Sequence, residues 1–357
     1  MRQPPAFGWV RACAVFPRRR PVPQAQARTA PTATIRRDGP GSVSLMNPPF
    51  PFPQGVPFTT AQARKAGLSD RTLAEAVDRG TLIRPRRGWF HVPTSADGRF
   101  ELAARQARIA LCEGPAGAVV SHHTAAVLHG LPLVRARTSQ THITVDRPNS
   151  GRITGHARLY STPRDTLSAV DIDGIPVTGV ARTLVDLSRT AGFDAGVCAT
   201  DFALRKNLIT PQELQLEVDQ HCGRKGVAIA REVIGFADPL SESAGESLSR
   251  CVMRTLPDIP APRLQRRYFD HEGVLVARTD FSWGDGALAG EFDGKIKYTR
   301  DTAYGNDPSD VVWKEKRRED RIRDLGVVVI RWVWAALYQP EQFRRYVLAG
   351  LRRAGVS

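Results

Sequence analysis

The strongest constraint on the fold is an alternating stretch in the last third of the chain, residues 276–298, which reads VARTDFSWGDGALAGEFDGKIKY. Polar and apolar residues alternate along 277–283, and residues 287–293 form a second short run, a pattern typical of two paired strands. Asp285 and Gly286 between the runs predict a two-residue hairpin turn. This part of the chain is therefore expected to form a sheet.

The predicted hairpin gathers acidic residues on one face. With residues 285 and 286 in the turn, Asp280 lies directly opposite Glu291, and Asp293 follows on the same face. Lys295 shares that face if the strand continues that far. Opposed like charges repel, but Mg²⁺ prefers oxygen ligands and can activate water for displacement at phosphorus. The pattern predicts a Mg²⁺ site for phosphodiester hydrolysis, with a lysine near the phosphate.

An alternative interpretation needs no metal. The same acids would lie on a solvated hairpin face and pair with neighbouring basic side chains, namely Arg278, Lys295 or Lys297.

The segments around the hairpin extend the pattern. A capped helix with the sequence SESAGESLSRCVMRTL precedes it, and a charged helix ending at Gly326, an apolar strand (VVVIRWVW) and a closing helix follow. The order of helix, three strands, helix and strand is similar to the core of PD-(D/E)xK nucleases. The stretch resembles in particular their very-short-patch-repair-like branch, over about 100 residues.

The resemblance implies roles for individual residues. Glu246 matches the helix glutamate, Asp280 the motif aspartate and Glu291 the acidic member of (D/E)xK. Asp293 stands where the lysine usually follows, and Lys295 comes two residues later. Either the motif is shifted to Asp293 and Lys295, or Asp293 is a further metal ligand and Lys295 reaches in.

A second pattern begins at Phe58, with the sequence FTTAQARKAGLSDRTLAEAVDRGTLIRPRRGWFHVP. Thr60 is expected to cap a short helix that Gly67 closes, and Ser69 a second helix. Two strands, Thr81–Arg84 and Gly88–His91, are predicted to follow and to form a basic wing. The pattern indicates a winged helix-turn-helix.

In such a fold the second helix reads bases in the major groove and the wing binds phosphates. The residues expected at the bases are Ser69, Arg71 and Thr72, with Asp70 between them, and those expected at phosphates are Arg84, Arg86 and Arg87. The alternative is a protein contact, because Asp70, Glu75 and Asp78 dilute the positive charge of the second helix.

This stretch resembles the N-terminal winged helix of AbiEi-type antitoxins from type IV toxin–antitoxin systems. The resemblance covers about 35 residues and follows the pattern T..qa...G.s...l...v..G.l.r..rG.y. It implies binding to DNA and a nucleotidyltransferase-like toxin encoded nearby.

The net charge of +15 is concentrated at the start of the chain. Residues 1–45 hold eight Arg and one Asp, are rich in Pro, and are predicted to be disordered. They are interpreted as a basic arm for nucleic acid, as a targeting peptide, or as sequence upstream of a true start at Met46. The sequence has no apolar run long enough to span a membrane, and its five cysteines lack CxxC spacing, which favours a reducing cytoplasm.

The segment between these two units, residues 96–240, is predicted to be a mixed α/β scaffold. His122, His123 and His129 suggest a metal, but structural roles at helix ends are favoured because no nearby acid or cysteine completes a ligand set. Ion pairs within single helices are expected for Arg182 with Asp186 and for Asp201 with Arg205. The phrases SHHTAAVLHGLPL and RTLVDL are similar to the region that follows the winged helix in AbiEi-like actinobacterial proteins.

Together these patterns predict an α+β protein with a tail at 1–57, a winged helix at 58–95, an α/β region at 96–240 and a restriction-endonuclease-like αβββαβ core at 241–357. The function expected is that of a DNA-binding protein with a Mg²⁺-dependent endonuclease domain. The alternative is a non-enzymatic antitoxin or transcriptional repressor that keeps the nuclease-like fold as a scaffold.

Overall fold

The computed structural model describes residues 50–95, 98–135, 140–146, 152–153, 156–162, 167–294 and 321–356. The elements from Phe50 onward form a single compact unit. It combines helices with three sheets in the described ranges, as expected for an α+β protein. Along those ranges no helix has both the length and the apolar character needed to cross a bilayer.

The N-terminal elements are two short helices and a three-stranded sheet. Helices α1 (Thr60–Lys65) and α2 (Asp70–Asp78) pack on the sheet through a small apolar core. The strands are β1 (Phe58–Thr59), β2 (Ile83–Arg86) and β3 (Trp89–His91), in the order β1-β3-β2. This is the predicted order of elements, with one additional strand at its start.

The cap of α1 differs from the prediction by one residue. Thr59, not Thr60, is the N-cap, because its Oγ1 accepts from Gln62 N at 3.1 Å and Gln62 Oε1 accepts from Thr59 N at 2.7 Å. Gln62 is the third residue of the helix, which is where a capping box requires the reciprocal side chain. The Ser69 cap of α2 is confirmed.

The middle of the chain contains a six-stranded mixed sheet. Its strands lie in the order β6-β7-β5-β4-β9-β8. They are β4 (Val119–Val120), β5 (Thr141–Asp146), β6 (Arg152–Ile153), β7 (Ala157–Thr162), β8 (Ala169–Ile172) and β9 (Ile175–Thr178). Helices α3 (Arg99–Glu113) and α4 (His122–Leu128) share a buried core with this sheet.

Four helices follow and pack mainly on one another. They are α5 (Val180–Ala191), α6 (Phe193–Arg205), α7 (Pro211–Gln220) and α8 (Val227–Phe236). Their apolar faces form a second core with Ala126 and Leu131, so the helices are joined to the end of α4.

The last part of the chain is a mixed four-stranded sheet with helices at both ends of its sequence. The strands are β10 (Arg263–Phe269), β11 (Leu275–Trp283), β12 (Leu288–Phe292) and β13 (Val328–Trp332). They lie in that order, antiparallel except for the parallel pair β12 and β13. The helices are α9 (Ala244–Arg254), α10 (Trp334–Leu337) and α11 (Pro340–Arg353).

The β11–β12 hairpin keeps the predicted register but not the predicted turn. Trp283 pairs with Leu288, so four residues connect the strands instead of two. Gly284, Asp285 and Gly286 all have positive φ, at 56°, 51° and 98°, and form a short 3₁₀ segment. The loop is longer by one residue at each end, so the remaining residues of the two strands keep the predicted partners.

A large apolar core crosses the predicted boundary at residue 240. It includes Val197 and Val233 from the middle helices together with Leu248 and Phe281 from the C-terminal part. The two predicted domains therefore share one interior.

A buried ion pair lies at the same junction. Arg250 Nη1 donates to Asp201 Oδ2 at 2.9 Å, and Arg250 Nη2 donates to the Phe236 carbonyl. The predicted Asp201–Arg205 pair is therefore wrong, since the guanidinium that faces Asp201 comes from α9. The side chain of Arg205 lies over the Phe202 ring instead.

Candidate nucleic-acid interface and acidic sheet face

Helix α2 presents a polar and mostly exposed first turn. Ser69 Oγ accepts from Thr72 N at 3.1 Å and so caps the helix, and it also bonds the Thr72 hydroxyl at 2.8 Å. The Arg71 side chain is 89% exposed and donates to Glu75 at 2.9 Å. Hydrogen bonding from Arg64 holds the pKa of Asp70 below its usual value, so this carboxyl stays charged beside the cap.

The three arginines of the predicted wing lie in two different environments. Arg84 and Arg87 are exposed, and the Arg84 guanidinium lies 5.8 Å from the centre of the Phe90 ring. Arg86 instead turns inward, where its Nη2 bonds Glu113 Oε2 at 2.7 Å at the end of α3. Trp89 Nε1 donates to the other oxygen of Glu113 at 2.6 Å. Two of the three arginines thus lie at the surface, and the third joins the β2–β3 hairpin to the end of α3.

The acids of the predicted face lie at or near the paired ends of β11 and β12. Phe281 pairs with Gly290, which is the predicted register, and Asp280 and Glu291 are the next residues beyond this pair. Asp280 Oδ2 accepts from the backbone N–H of Phe292 at 2.9 Å. Glu291 Oε2 bonds Arg331 Nη2 at 2.8 Å, and Arg331 is its direct partner on β13. Both carboxylates are therefore bonded within the sheet.

Asp293 lies just beyond β12. Its backbone N–H donates to the Trp332 carbonyl at 2.9 Å, and its side chain lines a cavity of 510 Å³. Arg331 and Tyr346 also line this cavity, so an acid, a guanidinium and a phenol surround one opening.

Glu246 is held at the start of α9. Its Oε1 accepts from the Ser243 hydroxyl at 2.7 Å, and its Oε2 accepts from Glu242 N at 2.8 Å and from Gln265 Nε2 at 3.1 Å. These contacts complete the helix cap, which is a structural role for this carboxylate. The helix starts against the end of β12, because a Cβ atom on Gly245 would lie 1.9 Å from Phe292 Cε1.

Lys295 and Glu246 complete the predicted catalytic set, and Asp280, Glu291 and Asp293 are the predicted metal ligands. Lys295 lies outside the described residues. Within the described ranges, no three His, Cys, Asp or Glu side chains are grouped so that they could hold a metal ion. Glu246 and Glu291 both bond neighbouring donors, and the donor at Glu291 is the guanidinium of Arg331.

A buried polar cluster that was not predicted from the sequence lies in the middle of the chain. Asp186 is its centre, bonded by Arg182 Nε at 2.7 Å and by Arg189 Nη1 at 2.9 Å. His122 Nε2 and His221 Nε2 lie 3.9 and 4.0 Å from the same carboxylate. The predicted Arg182–Asp186 pair is confirmed, but it is deeply buried and has additional partners.

Further histidines adjoin this cluster. His122 stacks on Tyr160 with ring centres 3.6 Å apart, and its Nδ1 bonds Ser121 Oγ at 2.8 Å. His123 and His142 face each other through their Nδ1 atoms at 3.2 Å. Burial lowers the pKa of His122 to about 4 and that of His142 to about 3, so both are neutral at pH 7. The signal in the sequence was the concentration of His, Arg and Asp in two otherwise apolar helices.

Comparisons with known proteins match parts of the chain. Residues 54–90 match the family described as transcriptional regulator, AbiEi antitoxin. Two uncharacterized proteins from two strains of Mycobacterium tuberculosis, MT2308 and Rv2248, are each 30% identical over 159 residues, which is 44% of this chain and 55% of theirs. The chain thus spans about half the length of these relatives. The crystal structure of the RV2827C protein from Mycobacterium tuberculosis aligns with 62% of this chain and 86% of its own, at a TM-score of 0.35 and 16% identity.

Proposed function

We propose that this chain is a DNA-binding transcriptional regulator of the AbiEi antitoxin type. The observation that carries the proposal is the helical unit at residues 58–91, which coincides with the family match and exposes one face of α2. Arg71 on that face and Arg84 and Arg87 on the wing are exposed cations at the positions where a winged helix meets bases and phosphates. A toxin encoded nearby, of the nucleotidyltransferase-like type, is part of the proposal.

The test is binding of the full chain to a labelled duplex from upstream of its own coding region, followed by fluorescence anisotropy at several salt concentrations. Arg87→Ala should weaken binding to that duplex and to an unrelated one alike, and should reduce the slope of log K against log[salt] by about 1. Arg71→Ala should weaken binding to the upstream duplex more than to the unrelated one.

The matched control is Arg345→Ala, on the exposed face of α11 far along the chain from the helical unit. It should leave both affinities unchanged. If Arg71→Ala and Arg87→Ala bind both duplexes as the wild type does, α2 and the wing are not the DNA-contacting surface.

A second candidate function is Mg²⁺-dependent cleavage of DNA. It is favoured by the order of α9, β10, β11, β12 and β13, and by the alignment of Asp280 with Glu291 on one face of the sheet. The cap bonds of Glu246 and the Glu291–Arg331 pair favour a structural role for the same acids. We therefore propose DNA cleavage only as the second function, after transcriptional regulation.

Nicking of a supercoiled plasmid by the full chain with Mg²⁺ tests the second candidate. Cleavage by the wild type that is abolished in Asp280→Asn and in Glu291→Gln would support it. Equal nicking by the wild type and both variants would assign the activity to a contaminant and exclude this site.

A further inference from the structure

The cavity beside Asp293 lies beyond the ends of two parallel strands. β12 and β13 run in the same direction, and their last residues, Phe292 and Trp332, are paired. The cavity measures about 510 Å³ and is bordered by these strand ends, by α10 and by one face of α11. Ligands of open sheets commonly bind just past the carboxyl ends of parallel strands, and small-molecule sites typically measure roughly 300 to 1,000 Å³. Its position and its size both fit a bound organic molecule.

The floor of this cavity is apolar and fixed. The buried rings of Trp332 and Phe343 meet edge to face, with their centres 5.3 Å apart. Trp332 Nε1 also donates to Ser249 Oγ at 2.8 Å, which holds the indole in this orientation. Ala335 and Ala336 of α10 form an adjoining wall, where a methyl group at each position leaves the space open. A flat apolar ring can therefore enter without a rearrangement of the core.

Apolar surface is exposed at the mouth of the cavity. Val333 and Tyr346 both line it and are 43% and 42% exposed. The phenol ring offers a face on which a planar ring can stack, as nucleic-acid bases stack on aromatic side chains. The lining thus favours a flat aromatic molecule.

Three polar side chains along α11 determine which ring fits. Gln339, Gln342 and Tyr346 all line the cavity, and Gln342 adjoins Tyr346 because the two are four residues apart on the helix. Among the residues that the structure describes, neither amide side chain has a hydrogen-bond partner. Tyr346 Oη accepts from Arg331 N at 3.3 Å, which leaves its O–H as a donor toward the cavity. A ligand therefore meets amide groups that both donate and accept, and a hydroxyl that donates.

The charged groups at the cavity have partners within the chain. Arg331 bonds Glu291 at 2.8 Å, and Asp293 also takes part in an interaction of its own. Guanine is typically read by an arginine that donates to O6 and N7, so a guanine would have to compete with Glu291 for Arg331. Adenine is read by a glutamine, whose amide oxygen accepts from N6 and whose nitrogen donates to N7. The Tyr346 hydroxyl can donate to another ring nitrogen of the same base.

We propose that this cavity binds an adenine base, which stacks on Tyr346 and is read by the amide of Gln342. The chemistry fits the adenine of a free nucleotide and the adenine of a nucleic-acid strand equally. The described residues that line the cavity lie between 293 and 346, so the site is separate from the proposed DNA-contacting surface at residues 58–91. The inference does not depend on either proposed function.

Isothermal titration calorimetry of the full chain with adenosine tests the proposal. We expect a single site with a Kd on the order of 100 μM. Inosine lacks the N6 amino group and 7-deazaadenosine lacks N7, so each should bind about tenfold more weakly than adenosine through the loss of one hydrogen bond. Failure of the wild type to bind adenosine, or guanosine binding as tightly as adenosine, would overturn the proposal.

Variants of the chain place the site. Gln342→Ala should weaken adenosine binding by about tenfold, and Ala336→Leu should weaken it at least as much because the larger side chain occupies part of the cavity. Gln212→Ala is the matched control, since Gln212 is an exposed glutamine on α7, and it should bind as the wild type does. Thermal unfolding without nucleoside checks that each variant is folded. Undiminished binding in folded Gln342→Ala and Ala336→Leu would overturn the assignment to this cavity.

Adenosine 5′-monophosphate and the single-stranded DNA tetranucleotide TTAT distinguish the two sources of adenine. Tighter binding of the tetranucleotide than of the monophosphate, if Gln342→Ala removes the difference, identifies a nucleic-acid strand as the source. Any other order of affinities identifies a free nucleotide.

Discussion

Gly245 occupies the second position of α9, where any Cβ atom would meet the Phe292 ring at 1.9 to 2.5 Å. The contact brings the start of the helix against the last residue of β12. Because Gly245 has no side chain, the start of α9 can lie this close to β12, and Glu246 is the next residue of the helix.

Gly245→Ala should destabilise the chain by about 2 kcal/mol, because an added methyl group in a packed interior forces a side chain or the backbone to move. Urea unfolding at 25 °C measures the change. Gly235→Ala is the matched control, since Gly235 is exposed in α8 and nothing lies within 4 Å of its added Cβ. The free energy of unfolding of Gly235→Ala should rise by about 0.5 to 1 kcal/mol, because alanine has the higher helix propensity. An equal loss of stability in the two variants would contradict the argument from packing.

The buried histidines predict how stability depends on pH. His122, His142 and His221 have folded pKa values of about 4, 3 and 4, whereas the value for an unfolded chain is about 6.5. Below pH 6 the unfolded chain binds more protons than the folded one, so stability falls with acid. The charged and titratable side chains that influence these three pKa values are Asp186, Arg182, Arg189, Arg158, Glu217, Arg224 and His123.

We expect a loss of roughly 1 kcal/mol per buried histidine for each pH unit from 6 to 5. Urea unfolding at pH 5, 6 and 7 measures it. His122→Asn should reduce the slope of stability against pH, because it removes one buried histidine. Asparagine is chosen because it tolerates the positive φ of 52° at this position. His271→Gln alters a histidine that is 90% exposed and should leave the slope as it is; an equal reduction in both variants would show that burial is not the cause.

Among the helices and strands, the sequence predicted those caps and strand pairings that depend on residues close together in the chain. The cap at Ser69 follows from local hydrogen bonds, and the register of β11 with β12 follows from alternation. Partners that come from elsewhere in the chain were not predictable. Arg250 reaches Asp201 across 49 residues, and no spacing rule distinguishes it from Arg205.

The same limit applies to the candidate sites. Sequence spacing predicted the register of β11 with β12, but it gave no sign that Arg331 lies opposite Glu291 on a parallel strand. It also treated the three arginines of the predicted wing as equivalent, whereas the ion pair with Glu113 at the end of α3 separates Arg86 from the other two.

The Arg250–Asp201 pair joins α9 to α6 and supports a specific prediction. Arg250→Met should destabilise the chain by about 3 to 5 kcal/mol, because it leaves the Asp201 carboxylate buried without its cation. Arg205→Met, on the same helix as Asp201, should cost less than half as much. Chemical denaturation of both variants at pH 7 tests the difference, and similar losses would argue against Arg250 as the main partner.

At the scale of the whole molecule, the shared core makes the middle and C-terminal parts interdependent. Val197, Val233, Leu248 and Phe281 belong to one buried cluster, so separating the chain after residue 240 exposes apolar surface on both pieces. We expect residues 241–357 expressed alone to bind a hydrophobic dye and to lack a sharp thermal transition.

The intact chain should show one transition for both parts when followed by tryptophan fluorescence and by circular dichroism. Two separated transitions, or a cooperative unfolding of residues 241–357 alone, would show that the boundary at 240 divides independent domains.

The bonds of Arg86 and Trp89 to Glu113 have a consequence for protein engineering. A graft of residues 58–95 onto another scaffold would leave a guanidinium and an indole N–H without the carboxylate that they share. The orientation of the transplanted piece would then be set by its new linker. A graft of this segment should therefore extend through Glu113, so that it includes α3 and keeps the carboxylate that Arg86 and Trp89 share.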